Sequence, residues 1–277
     1  MDNREIRMVA LDLDGTTLDT DSKISRRTCE ALHAAMKQGV HIVVSTGRGF
    51  DAVPEEIFHV DGLEYIITSN GANVRKISSR DTIYENHVAA EATVDVIKIL
   101  RNSGISVEAV VDGVTYIDEK EYTDIVENGS SYRSVNYVVS TRKPVPDIFE
   151  YIYENRGHIE NINIIFENLE QKMNWKNVLE SIPKTTLTTS FSHNFEIGGE
   201  TTSKAEALRF LMHEVGVTRN QLMACGDSHN DSEMIKFAEI GVAMGNASDD
   251  LKAVADYVTD SNGEDGVAKA IEKFVLK

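Results

Sequence analysis

The chain has 277 residues, 41% hydrophobic and 26% charged, the balance of a soluble globular protein long enough for one large domain or two modest ones. Its 45 acidic and 28 basic residues give a formal net charge of −17, a surface that repels nucleic-acid backbone and anionic membrane. No apolar run reaches the ~18 residues of a membrane span, and two distant cysteines, Cys29 and Cys225, exclude a disulfide framework and suit a reducing cytoplasm.

The charged opening Met1 to Glu5 is unlike a signal peptide and leads into an apolar strand, Ile6 to Leu13, that ends in acids. Ser25 predicts a helix N-cap, the helix runs to Lys37, and Gly39 stands where a C′ glycine belongs. A second strand, Val40 to Ser45, a helix over about 51–58 and a third strand, Tyr65 to Thr68, complete a βα rhythm that predicts a parallel sheet. From about Ile83 to Ser190 the pattern changes. A helix over Ala89 to Asn102 precedes strands Val107 to Val111 and Thr115 to Ile117, which flank the hairpin turn Asp112-Gly113. Ile162 to Phe166 and Thr185 to Thr189 predict further strands, and Leu169 to Ser181 a helix. Trp175, and Tyr151 and Tyr153 with Phe149, read as helix-face packing. The βα rhythm then resumes with helix Ser203 to Val215, strand Leu222 to Cys225, helix Asp231 to Phe237, strand Ile240 to Met244 and helix Asp265 to Phe274. The expected fold class is α/β: a Rossmann-like parallel-sheet core, 1–82 and 191–277, interrupted by an α+β cap, 83–190, with hinges near 74–83 and 190–199.

Asp12-Leu13-Asp14-Gly15-Thr16-Thr17 lies at the C-terminal end of the first strand, where parallel sheets bind ligands. Gly15 permits a sharp turn, so both acids can approach one point that suits a hard divalent cation and phosphate oxygens. Gly226-Asp227-Ser228-His229-Asn230-Asp231 repeats the arrangement after another apolar strand. Asp227 and Asp231 can face one site if a helix starts near Ser228. Ser45-Thr46-Gly47-Arg48 closes the second strand with a hydroxyl and backbone N–H groups fit for phosphate. Lys204 opens a helix, against the macrodipole, which suggests a task beyond solvation. Cys225 reads as a small core residue, and His229 is assigned no role.

In this order and register, Asp12-x-Asp14-Gly15-Thr16, Thr46-Gly47-Arg48, Lys204 and Gly226-Asp227-x-x-Asn230-Asp231 resemble the haloacid dehalogenase superfamily of phosphatases. More narrowly they resemble its Cof-type, sugar-phosphatase-like branch with a type IIB cap. Ser69-Asn70-Gly71-Ala72 and Gly241-Val242-Ala243-Met244-Gly245-Asn246-Ala247 fit that branch too. Ala205 departs from the glycine often found after the motif lysine; alanine is the better helix former, so no loss of function is expected. The resemblance implies a Mg²⁺-dependent phosphatase that hydrolyses phosphate monoesters of small metabolites, such as sugar phosphates, through an aspartyl-phosphate. It makes Asp12 the nucleophile and Asp14 the acid–base. It assigns the metal to Asp12, the Asp14 carbonyl and Asp227, and the phosphoryl oxygens to Thr46, Gly47, Lys204 and Asn230. Asp231 is a supporting residue, orienting metal-bound water or pairing with Lys204. The partner is a small phosphorylated metabolite, and the state a monomer or small homo-oligomer in the cytoplasm. A phosphomutase on the same core is one alternative, separated by release of free phosphate without a diphosphate activator. A binding protein with a relict site is the other, separated by an aryl-phosphate assay.

Overall fold

The computed structural model describes residues 5–276, so the first four residues of the charged opening lie outside the described residues. The chain divides into two compact units. One holds the described residues up to Thr46, then Pro54–Tyr84, then Ser203 onward; the other holds Gly47–Val53 and Glu85–Thr202.

The first unit carries an eight-stranded sheet. Its order is Tyr257–Val258, Ile240–Ala243, Leu222–Gly226, Met8–Leu11, His41–Ser45, Tyr65–Thr68, Asn73–Lys76, Thr82–Glu85. Pairings from Tyr257–Val258 through to Tyr65–Thr68 are parallel, and Asn73–Lys76 runs antiparallel to its neighbour. The architecture is the expected α/β one, a parallel sheet with crossover helices. Met8, Val9, Ala10 and Leu11 are all fully buried, as a run covered on both faces must be, so this strand reads as continuous hydrophobics without alternation. Each large side chain so buried contributes about 1.5–3 kcal/mol. The helix Arg26–Lys37 begins where Ser25 accepts from the Thr28 N–H, and it packs against Gly266–Phe274 with Arg27 paired to Glu272 at 2.7 Å.

The helix expected over 51–58 is instead a 3₁₀ turn, Phe50–Ala52, and a short helix, Glu55–Phe58. Pro54 drives Val53 to an extended conformation, φ −71° and ψ 130°, because its ring disfavours the α region for the residue before it.

The second unit carries a six-stranded sheet, in the order Thr185–Thr188, Asn194–Gly199, Ile159–Ile165, Ser106–Val111, Val114–Asp118, Arg142–Val145. Asp112 and Gly113 make the hairpin turn, both at positive φ, 49° and 88°. Strand Asn194–Gly199 pairs inside this sheet, next to Ile159–Ile165. The chain therefore re-enters the first unit at Ser203, and not near 191. Val107, Ala109, Ile162, Ile164, Phe195 and Ile197 form one apolar face, packed in a single cluster with residues of helices Ala90–Leu100, Ile148–Glu154 and Leu169–Glu180. Trp175, Tyr151 and Phe149 lean on that cluster, whereas Tyr153 is exposed and does not.

The alternate residues of these strands are polar and linked. Asn194 donates to Asn163 Oδ1 at 3.0 Å, Asn163 donates to Glu108 Oε2 at 3.1 Å, and Arg142 and Arg133 clamp Glu108 at 2.9 and 3.1 Å. Burial alone would raise the Glu108 carboxyl, but Arg142 first and then Arg133 and Asn163 outweigh it and hold the group below the usual carboxylate range. Segment Gly47–Val53 belongs with this unit because Asp51 donates its N–H to Gly113 O at 2.9 Å and Arg48 lies over the Tyr137 ring.

Candidate active site

Strands Met8–Leu11 and Leu222–Gly226 are parallel neighbours, so the segments leaving them emerge side by side; the Asp12 N–H donates to Cys225 O at 3.1 Å. After Asp12 the chain turns at once. Leu18 N–H donates to Leu13 O at 2.9 Å, and the Thr17 hydroxyl donates to Asp12 O at 2.6 Å. Gly15 sits at φ 76°, and a Cβ there would lie 2.5 Å from Asp227 Oδ2. Only glycine lets the two acidic segments approach this closely. The turn buries Asp12 and leaves Asp14 exposed.

The second acidic segment is shaped by its own side chains. Asp231 Oδ2 accepts from the N–H groups of Asp227 and Ser228, both at 3.0 Å, which closes the 3₁₀ turn His229–Asp231 under Asp227. Its other oxygen meets the Lys204 ammonium at 2.6 Å, and Lys204 reaches Asp12 Oδ1 at 2.6 Å as well. Lys204 is the first residue of helix Lys204–Val215, with Ser203 as its cap. The cost of a cation at a helix start is offset by two carboxylates at contact distance. Burial by itself pulls the ammonium down; Asp12 and Asp231 more than reverse this and raise its pKa.

Asp12, Asp227 and Asp231 each offer a carboxylate oxygen within 4.8 Å of the others. Burial lifts the Asp12 carboxyl well above its ordinary range, with Asp231 and Asp227 adding to the rise and Lys204 opposing it. Asp227 is pushed up to about 6 by burial and by Asp231, although Thr16 and Ser228 donate to its two oxygens at 3.0 and 3.1 Å. One ammonium faces three carboxylates, so the cluster lacks positive charge. A hard divalent cation, which takes oxygen ligands, fits that donor set. Asp231 is tied by the Lys204 ammonium and two backbone N–H groups, whereas Asp227 accepts only from two hydroxyls and Asp12 from Lys204 on one oxygen, so Asp12 and Asp227 are the carboxylates better fit to ligate directly.

Thr46, at the end of strand His41–Ser45, is buried; its N–H donates to Ile67 O and its carbonyl accepts from the Asn70 N–H. Gly47, half-buried, follows it in the chain. Asn230 is half-buried and donates through Nδ2 to Asn70 Oδ1 at 3.0 Å. His229 is exposed and Cys225 is buried in its strand, its thiol pushed up to about 12 by burial and by Asp231. The structure thus brings Asp12, Asp227, Asp231 and Lys204 together, and ties Thr46 and Asn230 to one another through Asn70. Sequence reasoning missed the supporting donors. Thr16 and Ser228 hold Asp227, Asn246 donates to Gly15 O at 2.8 Å, and Asn262 donates to Leu18 O at 2.8 Å. Asn70 and Asn246 stood in quoted motifs without a role; Asn262 carried no local signal.

A family model described as haloacid dehalogenase-like hydrolase matches residues 9–271. The phosphatase YwpJ of Bacillus subtilis is 31% identical over 291 residues, covering 98% of this chain and all of the relative. The 5-amino-6-(5-phospho-D-ribitylamino)uracil phosphatase YcsE of the same organism is 33% identical, covering 98% of this chain and 97% of that one. A solved haloacid dehalogenase-like hydrolase from B. subtilis superposes with a TM-score of 0.83 at 27% identity, covering 98% of this chain and all of the other.

Proposed function

We propose a reaction and a substrate class for this chain, which belongs to the haloacid dehalogenase-like hydrolase family and is a phosphatase of its Cof-type branch. The substrate is a phosphate monoester of a small sugar or polyol, cleaved through an aspartyl-phosphate in a Mg²⁺-dependent reaction. The observation that carries this reading is the buried Lys204 ammonium at 2.6 Å from both Asp12 and Asp231, within the carboxylate cluster that includes Asp227.

Asp12 is the nucleophile. Lys204 fixes one of its oxygens, which limits rotation of the carboxylate. A carboxylate oxygen of Asp12 attacks phosphorus, and the bond from phosphorus to the ester oxygen breaks. Asp14, exposed two residues on, gives its proton to the departing alkoxide. It then takes a proton from the water that attacks the aspartyl-phosphate. The bond from phosphorus to Asp12 breaks, and inorganic phosphate leaves. Thr46, the Gly47 N–H, Lys204 and Asn230 hold the phosphoryl oxygens, and Asp231 orients Lys204 and the loop carrying Asp227. Mg²⁺, held by Asp12, Asp227 and the Asp14 carbonyl, supplies the positive charge that phosphoryl transfer needs. The substrate class is supported by a relative whose named substrate carries its phosphate on a ribityl chain. A cytoplasmic location accords with two free cysteines, and no helix of the described residues is long and apolar enough to cross a membrane.

Two measurements test the reading. A panel of phosphorylated metabolites should show Mg²⁺-dependent release of phosphate, greatest with sugar or polyol phosphates and abolished by chelator. Asp12→Asn should neither turn over nor trap label from a ³²P-labelled substrate. Undiminished phosphate release in excess chelator, or a trapped phosphoenzyme from Asp12→Asn, overturns the mechanism.

A further inference from the structure

The turn Ser69-Asn70-Gly71 places three consecutive residues in the left-handed region, at φ 51°, 57° and 101°. The first two are not glycine, and such residues persist there only where their surroundings over-determine them. Those surroundings are the catalytic motifs. The Asn70 N–H donates to Thr46 O at 3.0 Å, and its Oδ1 accepts from Asn230 Nδ2 at 3.0 Å. A Cβ on Gly71 would lie 2.1 Å from Ser203 O and 3.0 Å from the Lys204 nitrogen, so the turn presses on the start of the helix that carries Lys204. One short turn touches all three segments that bring Thr46, Asn230 and Lys204 to the site.

The Asn70–Asn230 pair has unspent polar atoms. Asn70 Nδ2 and Asn230 Oδ1 are buried and have no hydrogen-bond partner among the described residues. An unsatisfied buried amide atom is costly unless something completes it. In this arrangement the free end of Asn230 is a carbonyl oxygen, which repels an anion. A half-turn of both amides keeps their mutual contact and reverses its direction: Asn70 Nδ2 then donates to Asn230 Oδ1, and the free end of Asn230 becomes an N–H donor.

We propose that Asn70 is a positioning residue, whose side-chain amide holds that of Asn230 in the orientation that offers an N–H to a phosphoryl oxygen. The inference rests on the reading above in which Asn230 binds the phosphoryl group. Asn70 adds the reason that a strained turn is kept beside it: without the Asn70 partner, the Asn230 amide rotates freely and presents either end.

The test is competitive inhibition of aryl-phosphate hydrolysis by inorganic phosphate, in the full Mg²⁺-loaded chain, for Asn70→Gly, Asn230→Ala and the double variant. Glycine tolerates the left-handed backbone and keeps the N–H to Thr46, so Asn70→Gly removes only the side chain. Asn230→Ala should weaken phosphate inhibition about tenfold, the size of one hydrogen bond to a charged group. Asn70→Gly should weaken it about twofold, the loss when the amide presents either end equally, and the double variant should be no worse than Asn230→Ala alone. A merely structural Asn70 predicts losses that multiply. That result, or an unchanged Asn70→Gly, overturns the proposal while leaving Asn230 as a phosphate ligand. An unchanged Asn230→Ala overturns both, at Asn230 itself. Should Asn70→Gly not fold, Asn70→Asp serves. Aspartate tolerates the same backbone but only accepts, so it draws the Asn230 NH₂ to itself. Phosphate inhibition as strong as in the parent enzyme would overturn the proposal.

Discussion

At the scale of single residues, the two acids of the first motif differ in environment, and that difference fits different tasks. Asp12 is buried against Lys204, while Asp14 is exposed and can exchange protons with water. With a sugar or alkyl phosphate the leaving alkoxide is poor, so Asp14→Asn should cost on the order of a hundredfold in turnover. With nitrophenyl phosphate the phenolate departs unaided, yet hydrolysis of the aspartyl-phosphate still needs a base. The same variant should then give a burst of nitrophenol approaching one equivalent, followed by a slow steady rate. Equal losses with both substrates and no burst would show that Asp14 acts through the metal site or the fold. The acids were legible in the sequence because each follows an apolar strand. The hydroxyl of Thr16 was not, because its job is set by Asp227, 211 residues away in the chain.

At the scale of elements, five parallel strands of the first sheet were readable because burial on both faces demands uninterrupted apolar runs, whereas the two-residue edge strand Tyr257–Val258 is not buried and gave no such run. Strand Asn194–Gly199 escaped because its alternate positions, Asn194 and Glu196, are polar though buried. Strand Arg142–Val145 escaped for a related reason: it is a short edge strand with Pro144 in it and with Arg142 turned to Glu108. The polar row those strands carry makes a prediction about the second unit. Glu108 is fully buried between Arg133 and Arg142, so Glu108→Ala takes the carboxylate from Arg142 and leaves Arg133 with Glu121 alone. The expected loss is about 3–5 kcal/mol of stability in urea unfolding of that unit. Because the folded carboxyl lies below its ordinary value, its contribution is present above about pH 4.3 and fades as pH falls through the lowered folded value. A loss under about 1 kcal/mol would mean that the arginines find other partners when Glu108 is gone.

At the scale of the whole molecule, a chain of net charge −17 has no long-range attraction for an anionic phosphate, so the sign must be reversed locally. Lys204 alone does not reverse it against three carboxylates. The raised pKa values of Asp12 and Asp227 are the thermodynamic trace of that deficit. A carboxyl whose folded pKa is raised binds more protons folded than unfolded. Its stabilising contribution is therefore complete below the unfolded value, about 3.9, and is lost as pH rises through the folded value, which for Asp227 is about 6. In chelator, the first unit should thus lose thermal stability between about pH 5 and pH 7.5. Mg²⁺ takes the place of those protons, so its effect should have the opposite trend. At about pH 7.5, Mg²⁺ at a hundredfold over its dissociation constant should add about 2.7 kcal/mol, which raises Tm by roughly 5 °C or more. At about pH 5 the same concentration should add much less, because protons already occupy Asp227 and must be displaced. Asp227→Asn should flatten both trends, since the amide neither titrates nor ligates as a carboxylate does. Thermal unfolding of the parent and this variant, with and without Mg²⁺ at the two pH values, reads all of it. An equal Mg²⁺ shift at both pH values in the parent would separate the cation from the Asp12–Asp227 pair and place its site elsewhere on the acidic surface.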